Sequence, residues 1–182
     1  MAKDNETNRV ELVITPPKVY GSRLAQNIGA RTTIGVLTQL IANSRTSILI
    51  ASPFYQTYRG IKLNPMINAF KNALDRNVTL SVIGTREGIE VFKKWIKDIF
   101  LQGDIRLFRP KPNVEDDRLL GSHAKVLIVD KKYVYIGSAN LTRSGLTDNL
   151  EIGTLLKGTI ASKVSKLWDQ LIEKGFLVEV SY

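Results

Sequence analysis

The apolar residues of this chain change their spacing along its length, and that change narrows the folds open to it more than any other feature. Ile34, Leu37, Leu40 and Ile41 recur at helical spacing, while Thr46 to Ser52 is a short, partly β-branched run closed by Pro53. A helix therefore hands over to a buried strand. Asn64 followed by Pro65 is a helix start, and Met66, Ile67, Phe70, Ala73 and Leu74 supply the apolar face behind it. The alternation continues with a strand from Val78 to Ile83, a helix over about Arg86 to Leu101 carrying Ile89, Phe92 and Ile96 on one side, and a strand at Ile105 to Phe108. Strands and helices alternating at these lengths call for a sheet covered on both faces.

After a polar loop from Pro110 to Gly121 a period of two takes over. Ser122 to Val129 and Tyr133 to Ile136 read as strands separated by Asp130-Lys131-Lys132, a break short enough for a hairpin. Glu151 to Leu156 is a further strand, Ile160 to Lys174 an amphipathic helix stopped by Gly175, and Phe176 to Val180 a last strand. Residues 1–30 are polar at the start and mix Pro, Gly, Ser and Asn from Pro16 onward, and they are expected to form a flexible or irregular N-terminal arm. The expected fold is α/β, a mixed β-sheet flanked by helices on both faces, with residues 31–182 forming a single domain.

Twenty-six Lys and Arg residues against 17 acidic ones give a net charge of +9. That surplus suits a polyanionic partner, since each phosphate neutralised by a basic side chain releases condensed counterions. The absence of cysteine excludes disulfides, thiolate metal sites and a cysteine nucleophile. The stretch from Met1 to Arg9 is not a secretory signal, and no apolar run reaches the ~20 residues that span a bilayer. The chain is expected in the cytoplasm and away from membranes.

His123 is the only histidine. Placed at the start of a strand, it projects with Lys125 while Ala124, Val126 and Ile128 turn to the other face. An imidazole beside an ammonium makes an electropositive pair suited to a phosphate. Gly137-Ser138-Ala139-Asn140 closes the next strand. Gly137 permits close backbone approach, and the Ser138 hydroxyl and Asn140 amide can donate to phosphoryl oxygens. Glu151 opens the following strand, where its carboxylate is expected to accept the second ring N–H of His123. A lone strand histidine is ordinarily structural; the polar company of this one argues for chemistry.

In order and spacing, His123-Ala124-Lys125, four residues, Asp130, six residues, then Gly137-Ser138-Ala139-Asn140 resembles the HKD motif of the phospholipase D superfamily. Glu151 falls where the nuclease members of that family carry an acidic residue. The resemblance implies a phospholipase D-like sandwich in which His123 attacks phosphorus to give a phosphohistidine. Lys125, Ser138 and Asn140 would hold the charged oxygens without metal or other cofactor. Asp130, itself a motif residue in the family, has the opposite strand parity from His123 and is assigned a hydrogen-bonding brace.

Such chemistry needs a second imidazole to protonate the leaving oxygen. Lipid-cleaving members carry two motifs and this chain carries one, so a homodimer with a shared active site is expected. The single motif, the high charge and the lack of membrane features make nucleic acid, DNA before RNA, the expected substrate. A phospholipase or phosphatidyltransferase is the first alternative, and a nucleic-acid-binding subunit of a defence or restriction-like complex, with absent or conditional activity and a regulatory partner protein, the second. Tyr55 and Tyr58, in the irregular segment after Pro53, are candidates to flank a substrate groove, although loop aromatics usually just cover core. Asp116 and Asp117 resemble a metal pair but read more simply as solvated loop acids, and Asp130-Lys131-Lys132 matches a fragment of a metal-dependent nuclease pattern without a partner carboxylate. Trp95 and Trp168 are read as core or interface residues.

Overall fold

A computed structural model of the chain describes residues 7–56, 65–98, 101–111 and 123–182. Its strands are β1 (Arg9–Thr15), β2 (Arg31–Thr32), β3 (Ser47–Ala51), β4 (Thr79–Ile83), β5 (Ile105–Pro110), β6 (Val126–Val129), β7 (Tyr133–Gly137), β8 (Glu151–Lys157) and β9 (Leu177–Val180). The helices are α1 (Arg23–Asn27), α2 (Thr33–Ala42), α3 (Pro65–Asp75), α4 (Arg86–Asp98) and α5 (Thr159–Glu173), with a π-helical turn at Ser144–Asp148. Among the described residues all nine strands join one mixed sheet in the order β2-β1-β8-β7-β6-β3-β4-β5-β9.

In one half of the sheet β3, β4 and β5 run parallel, which requires crossovers, and α3 and α4 provide them. The remaining pairs are antiparallel apart from β1 with β2. One face of the sheet presents Ile48, Ile50, Leu80, Val82, Leu107, Leu127, Val129 and Leu155 to helices α2, α3 and α4, which return Val36, Ile41, Met66, Phe70, Phe92 and Trp95. The other face presents Ala51, Ile83, Phe108, Val126, Ile128 and Val134 to Ala161 and Trp168 of α5. Burial of these side chains, each contributing about 1.5–3 kcal/mol when fully removed from water, is the main term holding the layers together.

Two expectations are corrected, and of the two readings of Tyr55 the core one holds. Residues 9–15 are not part of an arm: β1 pairs with β8 over seven positions, from Arg9 opposite Lys157 to Thr15 opposite Glu151, and lies second from the sheet edge. Val10, Leu12 and Ile14 alternate as a strand should, but their partner is more than a hundred residues away in sequence. Regular pairing of β6 starts at Val126 rather than Ser122, so His123 and Lys125 precede the strand instead of belonging to it. Tyr55 is a core residue, 6% exposed, whose hydroxyl donates to the Ile83 carbonyl (2.8 Å) and whose ring meets Phe92 edge-on. Tyr58, Asp116 and Asp117 lie outside the described residues.

Candidate active site

Antiparallel register fixes where the selected residues meet. Val126 pairs with Ile136 and Gly137 with Gly153, so the start of β6, the end of β7 and the start of β8 share one end of the sheet. The Gly137 N–H donates to the Lys125 carbonyl (3.2 Å) and the Ser138 N–H to the Ile152 carbonyl (3.0 Å), carrying the pairing one step past the strand ends. His123, Lys125, Ser138 and Glu151 are gathered there by backbone geometry alone, and Asn140 follows in the loop that leads to the π-helical turn.

His123 is exposed, hence reachable by a large substrate. The Lys125 ammonium stands 3.2 Å from His123 Nδ1 and donates to the His123 carbonyl at 2.9 Å. An ammonium has no lone pair, so in this contact Nδ1 is the acceptor and the ring proton of a neutral imidazole sits on Nε2. Burial of Lys125 pulls its pKa below the usual value, and the nearby Glu151 charge partly offsets that pull.

Glu151 does not engage His123 in the way the sequence led us to expect. Its carboxylate accepts from the Ser138 hydroxyl, in a short contact, and from the Asn149 amide (3.4 Å). The Ser138 oxygen in turn accepts the Ile152 N–H at 3.1 Å. The serine is thereby held at both ends, donor to a carboxylate and acceptor from the backbone, and its hydroxyl proton must turn away from Glu151 to reach a phosphoryl oxygen. Asn140 carries a buried amide oxygen with no hydrogen-bond partner among the described residues. A buried polar atom without a partner is a condition native structures tolerate mainly where a ligand or solvent completes it.

Asp130 lies at the opposite end of β6. It and Lys131 adopt left-handed backbone conformations (φ 52° and 56°), which close the β6–β7 hairpin. Its carboxylate accepts the N–H groups of Arg45 (3.0 Å), Thr46 (2.7 Å) and Ser47 (3.1 Å), tying the start of β3 to the hairpin. Partial burial pushes its pKa up, but these donors outweigh it and hold the carboxyl below the ordinary 3.8. A cavity of about 510 Å³ opens beside Asp130, lined by Arg31, Arg45, Lys132 and Lys157, and it contains none of the residues gathered around His123.

Two residues of the site went unnoticed in the sequence. Tyr135 is buried, and its ring lies against both Gly137 and Gly153: a Cβ on Gly137 would fall 2.3 Å from the tyrosine oxygen, and one on Gly153 would fall 2.6 Å from the ring. The two glycines face each other across β7 and β8 because the tyrosine fills the space their side chains would need. Gly137 thus serves Tyr135 packing directly. A glycine inside an otherwise apolar strand, as in Glu151-Ile152-Gly153, was the available signal.

Residues 37–174 match the family model described as cardiolipin synthase, PLD-like domain. The chain is similar to the DISARM protein DrmC of Bacillus paralicheniformis, with 23% identity over 181 residues that cover 96% of this chain and 68% of that protein. Among solved structures it is similar to NucT from Helicobacter pylori, with a TM-score of 0.66 and 21% identity over 97% of this chain and all (100%) of the other. Nuc from Salmonella typhimurium, described as a phospholipase D family member, gives a TM-score of 0.63 at 18% identity with 97% of this chain and 100% of that one covered. A phosphatidylserine synthase from Haemophilus influenzae gives 0.64 at 12% identity, over 98% of this chain and 41% of the enzyme. At these identities the structural likeness establishes the mixed α/β fold.

Proposed function

The chain belongs to the family of phospholipase D-like domains, its match covering residues 37–174, and from that premise we propose that it is a phosphodiesterase that cleaves nucleic acid, DNA in preference to RNA. The observation that carries the proposal is the contact of Lys125 with His123 beside Ser138 and Glu151, at one end of the sheet. The net charge of +9 favours a polyanionic substrate over a zwitterionic lipid.

In the proposed reaction the incoming phosphate draws the Lys125 ammonium from Nδ1 onto a phosphoryl oxygen. An imidazole nitrogen of His123 attacks phosphorus, the bond to the leaving oxygen breaks, and that oxygen takes a proton from a second imidazole. Water then attacks the phosphohistidine, yields its proton to that second imidazole and frees His123. Lys125, Ser138 and Asn140 stabilise the phosphoryl charge, so the reaction is proposed to need no metal. Glu151 orients Ser138 and supports the charge of Lys125. Asp130 and Gly137 act through the scaffold.

The second imidazole is assigned to the partner's His123, in a homodimer whose copies share one site. The setting proposed for this activity is the cytoplasm; no helix among the described residues is long and apolar enough to cross a membrane. Unrestrained cleavage would endanger the host's own DNA, so a regulatory partner protein is part of the proposal. Phosphatidyl transfer is the second reading, favoured by the description of the matched domain as that of a cardiolipin synthase. In it an alcohol replaces water in the second step.

Incubation of purified protein with plasmid in excess EDTA tests the reading. Cleavage that persists with chelator and is absent in His123→Ala supports it, and cleavage that needs added metal and survives the substitution refutes it. Phosphatidyl transfer on vesicles without nicking of DNA would select the second reading.

A further inference from the structure

The cavity of about 510 Å³ beside Asp130 has two kinds of wall. One is apolar: Leu40 of α2, Val129 and Leu155 from the sheet, and Tyr133, which is 37% exposed. The other carries the cations Arg31, Arg45, Lys132 and Lys157. Glu11 accepts from Arg31 and from Lys157, both at 3.2 Å, so those two are already matched with a carboxylate. Arg45 and Lys132 are exposed and form no ion pair among the described residues. Asp130 also lines the cavity, but its oxygens are turned to the N–H groups of Arg45, Thr46 and Ser47. It therefore ties the backbone that carries Arg45 to the hairpin that carries Lys132, and the roots of these two side chains are fixed relative to each other.

We propose that this cavity is a nucleotide site, separate from the His123 site. It takes a free nucleoside monophosphate, with the phosphate between Arg45 and Lys132 and the base against Tyr133, Leu40 and Leu155. Asn43, in the same lining, offers the base edge one donor group and one acceptor.

Size, shape and chemistry each narrow the ligand. The volume falls within the range of about 300–1,000 Å³ usual for small-molecule sites, far more than a bare phosphate fills. A mixed lining asks for a molecule with an anionic end and an apolar one. The cations converge on one cavity instead of lying along a track, which suits a single phosphate group better than the spaced phosphates of a strand. Position separates the cavity from the catalytic residues. It shares none of them, and the four residues of β6, roughly 13 Å of strand, stand between Asp130 and the end of the sheet that gathers His123. The proposal therefore does not depend on the phosphodiesterase reading.

Isothermal titration of the full chain with the 5′-monophosphates of adenosine, guanosine, cytidine and uridine is the test, beside the free nucleosides and inorganic phosphate as half-ligands. At least one monophosphate is expected to bind once per chain and more tightly than either of its halves. Arg45→Met and Lys132→Met keep the stems and remove the charges. Each is expected to weaken that nucleotide by about tenfold or more, the effect of losing one charge-assisted hydrogen bond. Tyr133→Ala should weaken the nucleotide and leave the affinity for inorganic phosphate as it was. In His123→Ala the nucleotide affinity should be unchanged. A rise in the melting temperature of the unaltered chain with nucleotide concentration is the second readout, since a ligand held by the folded state alone stabilises it. The absence of saturable binding by every monophosphate, binding that survives both Met substitutions, or binding lost with His123 would each overturn the proposal. So would inorganic phosphate that binds as tightly as the nucleotides, or Met variants that lose affinity for long DNA alone. Failure of the chain to cleave DNA counts against the catalytic reading and leaves these outcomes as they stand.

Discussion

Lys125 holds its ammonium 3.2 Å from Nδ1 of His123, so one side of the imidazole is occupied by a cation before any substrate arrives. The contact keeps the neutral ring in the tautomer with its proton on Nε2 until a phosphate competes for the lysine. Replacing Lys125 by Met keeps the stem and removes the charge. Turnover is expected to fall by about 10²–10³-fold, the usual cost of losing one preorganised charge stabiliser, with the melting temperature unchanged. Single-turnover kinetics beside a thermal melt checks both halves.

Glu151 controls that lysine from a distance. Burial already lowers the Lys125 pKa, and the carboxylate raises it part of the way back. Neutralising the carboxylate in Glu151→Gln removes the raising influence, so the ammonium loses its proton at lower pH. The alkaline limb of the rate–pH profile is expected to move toward neutrality, while Ser138→Ala, which leaves the carboxylate charged, should lower the rate without that displacement.

Asp130 is a stability element whose effect has a definite sign. Its folded-state pKa lies below the ordinary 3.8, so the stabilisation is fully present above that value and is lost as pH falls through the lower, folded-state pKa. Asp130→Asn should cost about 1–2 kcal/mol near neutral pH, allowing for solvent screening of a partly exposed group. The gap should narrow as pH falls below 3.8 and close once pH lies under the folded-state pKa. Urea melts across pH measure it.

The Tyr135 ring and Gly153 compete for the same space. Gly153→Ala sets a methyl 2.6 Å from the ring and 2.8 Å from the Ile136 carbonyl, and is expected to destabilise by about 1–3 kcal/mol, as overpacking does. Gly137→Ala meets the tyrosine oxygen instead, so Tyr135→Phe should rescue Gly137→Ala in part and Gly153→Ala hardly at all. A double-mutant cycle by chemical denaturation distinguishes the two positions.

Much of this was legible in the residues because it depends on local spacing. The β6–β7 hairpin, the strand opened by Glu151 and the helix ended before Gly175 follow from periodicity and turn chemistry close in sequence. Where pairing spans the chain, local reading failed. β1 has the alternation of a strand, but its partner, β8, lies at the other end of the sequence, so nothing local marks it as part of the sheet. The match of Ser138 with Glu151, in place of Glu151 with His123, depends on where β7 stops relative to β8, which no local pattern records. Tyr135 carries no local signal, because an aromatic inside an apolar strand looks like any core residue until the glycines facing it are seen together.

The claim on which the rest depends is that two copies contribute one imidazole each to a single reaction. Unfolding and refolding an equal mixture of unaltered and His123→Ala chains, then measuring cleavage at fixed total protein, tests it directly. Random pairing leaves about a quarter of the dimers with both imidazoles, so activity should fall to about a quarter of the unmixed value. A fall to only about half, the result for chains that each work alone, would contradict the account.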